Sequence, residues 1–374
     1  MPDTPFALPD DVLERLITPA LVVSVDAARH NIARVIAAAR GDAARWRPHL
    51  KTTKSALACR LLAAAGVRHA KCATTRELAL ALDTFGPDAD LLVAHPLVGP
   101  ALARVAALAD AHPDARVAIL VEAPDALADL PRSLDVFIDV NPGMNRTGHA
   151  VDRLDDLRAL ARAAGPRLRG IHFYDGHLAG LDAPTRRARA HGVYDDLLAL
   201  VARLRADGIG IAEIITSGTP TFPDALAYAP FDALDGAIHR ISPGTVVYHD
   251  TRTEQELPNL GLRPAAVVLT RVVSHPAPDR VTCDAGSKSI AAEVGDPCAV
   301  VLGRPDLVAA RPSEEHLPLD VRAGAVPGRG DVLCLVPAHV CPTVNLYDTM
   351  VVVESGREPR LEPIAARGHE TWLR

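Results

Sequence analysis

Lysine is nearly missing from this chain. Of 40 basic residues in 374, only Lys51, Lys54, Lys71 and Lys288 are lysines, and three of them fall within 21 residues. A coding bias towards Arg and Ala is the plain cause. The chemical alternative is a position where arginine cannot serve, because a primary amine of adjustable pKa must attack a carbonyl. Other absences narrow the function. The formal net charge is −6, with no basic stripe, which speaks against nucleic acid as a partner. No apolar run reaches the roughly 18–20 residues of a membrane span. The opening stretch, MPDTPFALPDDVLERL, lacks the basic and apolar regions of a signal peptide. Six cysteines (Cys59, Cys72, Cys283, Cys298, Cys334, Cys341) lie too scattered for a disulfide framework, so a reducing cytoplasm is expected. The chain shows no repeat of solenoid length and no low-complexity tract.

What is present alternates. A strand at 19–26 precedes a helix over 29–40. Eight further strands are expected at 46–51, 69–74, 90–96, 116–122, 134–140, 168–174, 212–218 and 237–244. Helices are expected at 55–65, 75–82, 100–111, 152–164 and 184–206. Such alternation predicts parallel pairing, and eight units suffice to close a (β/α)8 barrel. An open doubly wound sheet is the alternative, but no GxGxxG follows the first strand. Beyond about residue 250 helical periodicity fades, and Val/Leu runs at 265–273, 280–286, 331–337 and 349–355 read as strands. The expected fold class is α/β, an N-terminal TIM-like barrel with a C-terminal β domain. The expected division is 1–26 (pairing with the C-terminal domain), 27–250 and 251–374.

A barrel places its chemistry at the C-terminal ends of its strands. RPHLKTTK (47–54) puts Lys51 there, with His49 on the same strand face. Partly desolvated and near other cations, Lys51 is expected to have a lowered pKa and to bond covalently to a carbonyl. A surface lysine closing a strand is the plainer alternative. NPGMNRTG (141–148) presents Arg146 between two glycine turns, as a cation for a carboxylate or cofactor or as a solvated turn residue. His172 and Tyr174 share a face in IHFYDGH (171–177), able to stack on a planar cofactor or to pack inside the barrel. TSGTPT (216–221) and SPGTVVYHD (242–250) end the last two strands. Ser217, Gly218, Thr219, Gly244, Thr245 and Tyr248 there suit a phosphate, with Thr221 as a further hydroxyl. His339 and Cys341, two apart, would project to one side of an extended segment and suit Zn²⁺ or a similar metal. A buried Cys beside a packed His is the alternative. Glu315 and His316, in EEHL, form a further polar cluster, either near that metal or simply an exposed acidic loop.

In this order, RPHLKTTK, NPGMNRTG, YDGH, SGTPT, SPGTVVYHD, CDAGSK, EEH and PAHVCPTVNLYD resemble the D-threonine aldolase / D-serine dehydratase family. These are pyridoxal-phosphate enzymes related to alanine racemase. The resemblance spans nearly the whole chain, and PHLKTTK and the HVC segment are its specific parts. It implies a homodimer, pyridoxal 5'-phosphate joined to Lys51, and a divalent metal on His339 and Cys341. Zn or Mn is the expected metal, with Mg and Co as further candidates. The substrate it implies is a β-hydroxy-D-amino acid. The family often has THK or TSK where this chain has TTK, so Thr53 replaces a residue able to touch the site. Cleavage of Cα–Cβ would give glycine and an aldehyde; loss of the β-hydroxyl would give a 2-oxo acid and ammonia. PTVNLYD resembles hydroxyaspartate-cleaving aldolases and tilts the reading towards carbon–carbon cleavage, with His49 or His316 as proton carrier. The rivals are a racemase using Tyr347, a non-catalytic pyridoxal carrier and, more weakly, a metal-free sugar or phosphate enzyme on the same barrel.

Overall fold

The computed structural model describes residues 5–127 and 130–371. The chain divides into two compact units. The first strand, β1 (Ala20–Ser24), belongs to the unit holding Met1–Arg34, Thr52–Ala58 and Thr245–Gly368. The next eight strands build the other unit, Val35–Lys51, Cys59–Gly244 and His369–Arg374. They are β2 (His69–Cys72), β3 (Asp90–Pro96), β4 (Arg116–Val121), β5 (Leu134–Asn141), the two-residue β6 (His149–Ala150), β7 (Leu168–Phe173), β8 (Glu213–Thr216) and β9 (Ile238–Ile241).

Parallel pairing runs β2-β3-β4-β5-β7-β8-β9, with β6 off to the side of β5. The strand expected at 46–51 is irregular: it makes single bridges, Trp46 with Ile241 and His49 with Lys71. Pro48 has no N–H, so a continuous ladder cannot run through it. Even so, the Arg47 N–H donates to Ile241 O at 2.9 Å and the Lys71 N–H to Pro48 O at 2.8 Å. The segment therefore bridges both edges and fills the eighth place of the barrel. Inside, Leu92, Ala118, Leu120, Phe137 and Ile215 form one packed cluster. Helices cover the outside by their apolar stripe. In Leu154–Ala164 the buried residues are Leu157, Leu160, Ala161 and Ala164, a spacing of three and four. The helix Thr75–Phe85 starts on a reciprocal cap. Thr74 Oγ1 accepts from the Glu77 N–H at 3.2 Å, and the Glu77 carboxylate accepts from the Ala73 N–H at 2.6 Å.

The N-terminal ends of the barrel strands hold a buried ion cluster. Arg47 is fully buried and donates from Nε to Glu213 Oε1 at 2.8 Å and from Nη2 to Asp90 Oδ1 at 3.0 Å. Arg169 Nη2 donates to Asp90 Oδ2 at 2.5 Å, and Arg240 Nε lies 3.0 Å from Glu213 Oε1.

The remaining strands return to the first unit. They are β10 (Ala266–Ala277), β11 (Arg280–Cys283), β12 (Ala299–Val301), β13 (Leu307–Ala309), β14 (Leu317–Val321), β15 (Val332–Pro337), β16 (Thr349–Val353) and β17 (Arg360–Pro363). Six of them pair in the order β11-β14-β13-β12-β15-β10, and β10 also pairs with β11, closing an antiparallel ring. β1 lies antiparallel to β10 and parallel to β16. Phe6, Val22, Val267, Leu269, Cys334 and Val351 pack together across these strands. Strands β12, β13, β14 and β17 are missing from the sequence expectation because three to five residues are too few to show a period.

Candidate active site

Within the barrel unit, Lys51 stands in the turn after the irregular eighth stave, and its side chain is exposed. This corrects the expectation of partial desolvation. The buried lysine is Lys71, on β2, only 2 % exposed. Burial, reinforced by the charges of Lys51, Arg146 and Arg47 and opposed by Asp139, pulls its ammonium down to about 7. His49 is half-buried, and its Nδ1 lies 3.4 Å from the Lys51 backbone N. Gly244 packs on the same segment: a Cβ there would sit 2.4 Å from the His49 carbonyl oxygen.

Lys71 heads a chain of contacts. Its Nζ lies 3.3 Å from His172 Nε2, and His172 Nδ1 lies 2.8 Å from Asp139 Oδ1. The carboxylate fixes the tautomer: Nδ1 carries the proton, and Nε2 accepts from Lys71. Burial and the Lys71 charge hold the His172 imidazole below its usual pKa, against the pull of Asp139. Thr147 Oγ1 donates to the other Asp139 oxygen at 2.6 Å. The NPGMNRTG loop makes this possible by folding back. Asn141 Oδ1 accepts the Gly143 and Asn145 N–H groups at 2.9 and 3.0 Å, and a Cβ at Gly148 would meet the Asp139 carbonyl oxygen at 2.6 Å. Arg146, exposed at the loop tip, lies 4.8 Å from the centre of the Tyr174 ring, and Lys71 Nζ lies 5.7 Å from it. His172, for which the sequence leaves cofactor stacking and packing inside the barrel both open, is held at both ring nitrogens.

At the end of β8, Ser217 adopts a φ of 63°, a left-handed conformation unusual for a side-chain-bearing residue. Its Oγ is buried without a hydrogen-bond partner. Gly218 lies against Tyr174, where a Cβ would come within 2.8 Å of the ring, and Thr219 is buried beside it. The Thr221 hydroxyl is already committed. It donates to Asp175 Oδ1 at 2.6 Å and accepts from the Gly218 N–H at 3.2 Å. Asp175 is fully buried and also accepts from Tyr194 at 2.5 Å. Burial holds its carboxyl above the usual range. An orphaned hydroxyl on a strained turn, close to a surplus of cations over carboxylates, fits a phosphorylated anionic cofactor.

In the other unit, His339 and Cys341 are not on an extended segment. His339 precedes the short helix Val340–Asn345, and Cys341 lies in its first turn. The two side chains still act on each other electrostatically. His339 Nδ1 lies 2.5 Å from Glu293 Oε1, which leaves Nε2 for another partner. Burial pushes the imidazolium down, but Cys341 and Glu293 outweigh it and lift it to about 9. Burial raises the Cys341 thiol, and His339, Thr245 and Thr52 outweigh this, so the net shift is downward. Thr52 Oγ1 lies 3.0 Å and Thr245 Oγ1 3.4 Å from Cys341 Sγ. Thr52 directly follows Lys51 in the chain. An imidazole and a cysteine thiol two residues apart are a donor pair that suits a divalent metal. No group of three or more ligand side chains occurs among the described residues.

Other candidates go elsewhere. Thr53 is buried. The Tyr248 hydroxyl lies 3.1 Å from Ser55 Oγ. Glu315 and His316 are exposed, and Glu315 lies 3.5 Å from Lys288 Nζ. Tyr347, the base a racemase would need, donates to the Ser289 carbonyl at 2.8 Å. Sequence reasoning missed Asp139, Asp175, Glu293 and the burial of Lys71. Only Lys71 carried a signal, as one of four lysines and inside an apolar strand.

Together the barrel, its rim lysine and the antiparallel domain define the alanine racemase-like class of pyridoxal-phosphate enzymes. The family model of the alanine racemase N-terminal domain matches residues 23–251, and that of the serine dehydratase domain matches residues 265–353. The D-threonine aldolase of Arthrobacter sp. is 34% identical over 97% of this chain and 96% of its own length. The D-threo-3-hydroxyaspartate dehydratase of Delftia sp. strain HT23 is 28% identical over 71% of this chain and 70% of its own. The crystal structure of D-threonine aldolase from Filomicrobium marinum superposes with a TM-score of 0.84 at 26% identity, covering 94% of this chain and 95% of that one. The chain belongs to the D-threonine aldolase / D-serine dehydratase family of pyridoxal-phosphate-dependent lyases.

Proposed function

We propose that this chain cleaves β-hydroxy-D-amino acids by a retro-aldol reaction to glycine and an aldehyde, using pyridoxal 5'-phosphate and a divalent metal, Zn or Mn. The observation that carries this reading is the 34% identity to a D-threonine aldolase along 97% of the chain. The bound cofactor supplies an electron sink for the carbanion at Cα, and the metal a Lewis acid for the β-hydroxyl.

The chain's own residues do the rest. Lys51 offers the exposed primary amine that captures the cofactor aldehyde. Ser217, Gly218 and Thr219 hold the phosphate, and Arg146 covers Tyr174 beside it. His339 and Cys341 bind the metal, with Glu293 fixing the imidazole and Thr52 and Thr245 steadying the thiolate. His49 is the proton carrier, since His316 lies on an exposed hairpin. The protein works as a homodimer in the cytoplasm.

The test incubates the protein, cofactor and Mn²⁺ or Zn²⁺ with D-threonine, D-serine and D-3-hydroxyaspartate. Glycine and ammonia are assayed separately. Glycine with an aldehyde and no ammonia is expected. Ammonia with a 2-oxo acid would overturn the proposal in favour of the dehydratase, the activity named for the Delftia relative. Lys51→Ala should abolish turnover and leave no borohydride-stable adduct at position 51, read by peptide mass.

A further inference from the structure

Asp250 is a buried carboxylate that no cation answers. It is 2 % exposed and, among the described residues, forms no ion pair. The histidine beside it, His249, is turned to Glu254 instead, with Nε2 2.8 Å from Oε2. Asp250 accepts from two backbone N–H groups, one on each oxygen. Oδ1 accepts from Thr253 at 2.8 Å, which caps its own helix, Thr251–Glu256. Oδ2 accepts from Val340 at 3.0 Å, 90 residues further along the chain. Capping needs one oxygen and no charge, so the second bond calls for another explanation.

Val340 stands between His339 and Cys341, and all of these residues belong to one compact unit. The peptide joining His339 to Val340 is a rigid plane, whose tilt is set by ψ of His339 and φ of Val340. His339 is extended there, with ψ 103°, and the helix begins at the next residue. That tilt therefore decides how the imidazole is aimed relative to the thiol. The plane is held at both edges. Thr343 Oγ1 donates to the His339 carbonyl at 2.9 Å, and Asp250 accepts from the Val340 N–H. Of the two holds, only Asp250 brings charge. The backbone bends to deliver it: His249 adopts a φ of 57°, and its N–H donates to Thr245 O at 2.7 Å. Strain of this kind persists where the surroundings fix it, and it clusters at functional positions. Thr245, at the other end of that turn, lies 3.4 Å from Cys341 Sγ. One segment thus grips the pair twice, at the thiol and at the peptide between the two side chains.

We propose that Asp250 is a positioning residue for the His339–Cys341 pair, fixing the peptide between them in one orientation before a divalent cation binds and adding a buried negative charge beside it. The inference rests on the reading that His339 and Cys341 bind that cation. Asp250 is not itself a ligand, since both of its oxygens are taken by N–H groups. It acts through the Val340 amide. A preset donor pair loses less freedom on binding, and a nearby carboxylate favours a cation. Outer groups of this kind are worth about ten- to a hundredfold in metal affinity.

The test separates the local cap from the distant bond. Full-length protein loaded with pyridoxal phosphate is stripped of metal by chelation, and its Zn²⁺ affinity is measured by competition with a chromophoric chelator. Asp250→Ser keeps a good cap for Thr253 but has a single oxygen and no charge. It should bind Zn²⁺ about ten- to a hundredfold more weakly than the wild type, with a metal-free thermal midpoint close to the wild type's. Its Co²⁺ d–d bands, which lie clear of the cofactor's absorption, should change as well. Asp250→Ala loses the cap too. It should be less stable than the serine variant yet bind Zn²⁺ equally weakly. Equal Zn²⁺ affinity in the wild type and Asp250→Ser overturns the inference, as does affinity that falls in step with stability from serine to alanine. Either result leaves the proposed function standing. Failure of the wild type to bind Zn²⁺ or Co²⁺ overturns the metal part of that function, and the inference with it. Asp250→Asn, which keeps the shape without the charge, is run alongside and should also lose Zn²⁺ affinity, so a folding defect in one variant does not decide the outcome.

Discussion

The two ends of the barrel bury charge in opposite ways. At the N-terminal end, Arg47, Arg169 and Arg240 face Asp90 and Glu213, and each carboxylate forms ion pairs with two or more guanidinium groups. Burial alone would raise the pKa values of Asp90 and Glu213, but the arginines reverse this and hold both below the usual carboxylate range. At the C-terminal end, the buried Lys71 feels the exposed Lys51 and Arg146, with Asp139 as the opposing charge, and Ser217 Oγ has no partner. The floor pairs its cations with carboxylates, although Arg240 Nε makes no hydrogen bond, whereas the rim has cations in excess, which a bound anion would balance. The comparison separates a buried cation balanced by carboxylates, Arg47, from one that is not, Lys71, although both lie in barrel staves.

The sharpest way to break this comparison is to unbalance the floor. Arg47→Ala should destabilise the protein by about 3–5 kcal/mol, since Asp90 and Glu213 lose a shared cation while staying buried. Urea denaturation measures this, and a loss below about 1 kcal/mol would mean the cluster is water-screened. Acid comes next. Because the folded pKa values of Asp90 and Glu213 are depressed, their stabilisation is present above the unfolded carboxylate range, about 4. It is lost as pH falls through the folded values. Unfolding midpoints should therefore drop below about pH 4, and less steeply in Arg47→Ala.

The rim should respond in the opposite direction. Lys71 is held down to about 7 when folded, against 10.5 as the reference. Between these values the unfolded chain binds the extra proton, so this group's contribution to stability rises with pH across that window. Cofactor-free wild type should gain stability relative to Lys71→Met from about pH 7 towards pH 10, as read by thermal midpoints. The smallest effect belongs to Thr74, whose hydroxyl only caps a helix. Thr74→Ala should cost about 1 kcal/mol in thermal or urea unfolding and leave cofactor affinity unchanged.

Most of the fold was legible because parallel barrel strands are buried on both faces and read as short apolar runs between amphipathic helices. The stave at 46–51 was legible by position but not by form, since Pro48 interrupts its ladder. The strands β12, β13 and β14 of the antiparallel ring, and β17 beside β16, were not legible, because segments this short carry no period. At the site, Lys51, Arg146 and Ser217 stood out as punctuation at strand ends. Asp139 and Asp175 did not, because their partners His172, Tyr194 and Thr221 lie 19 to 46 residues away and meet them only in three dimensions. The whole floor cluster was invisible for the same reason. Arg47 was read as part of the lysine motif, yet its side chain serves the opposite end of the barrel.

The place of β1 also bears on how the chain comes off the ribosome. Its hydrogen-bonding partners are β10 and β16, the latter beginning at Thr349. Made well before β16, β1 must wait for more than 300 further residues before its second edge is covered. During that interval an apolar strand, ALVVS, is available to any other nascent copy. A chaperone that shields early strands should therefore raise the yield of this protein more than any change to its barrel.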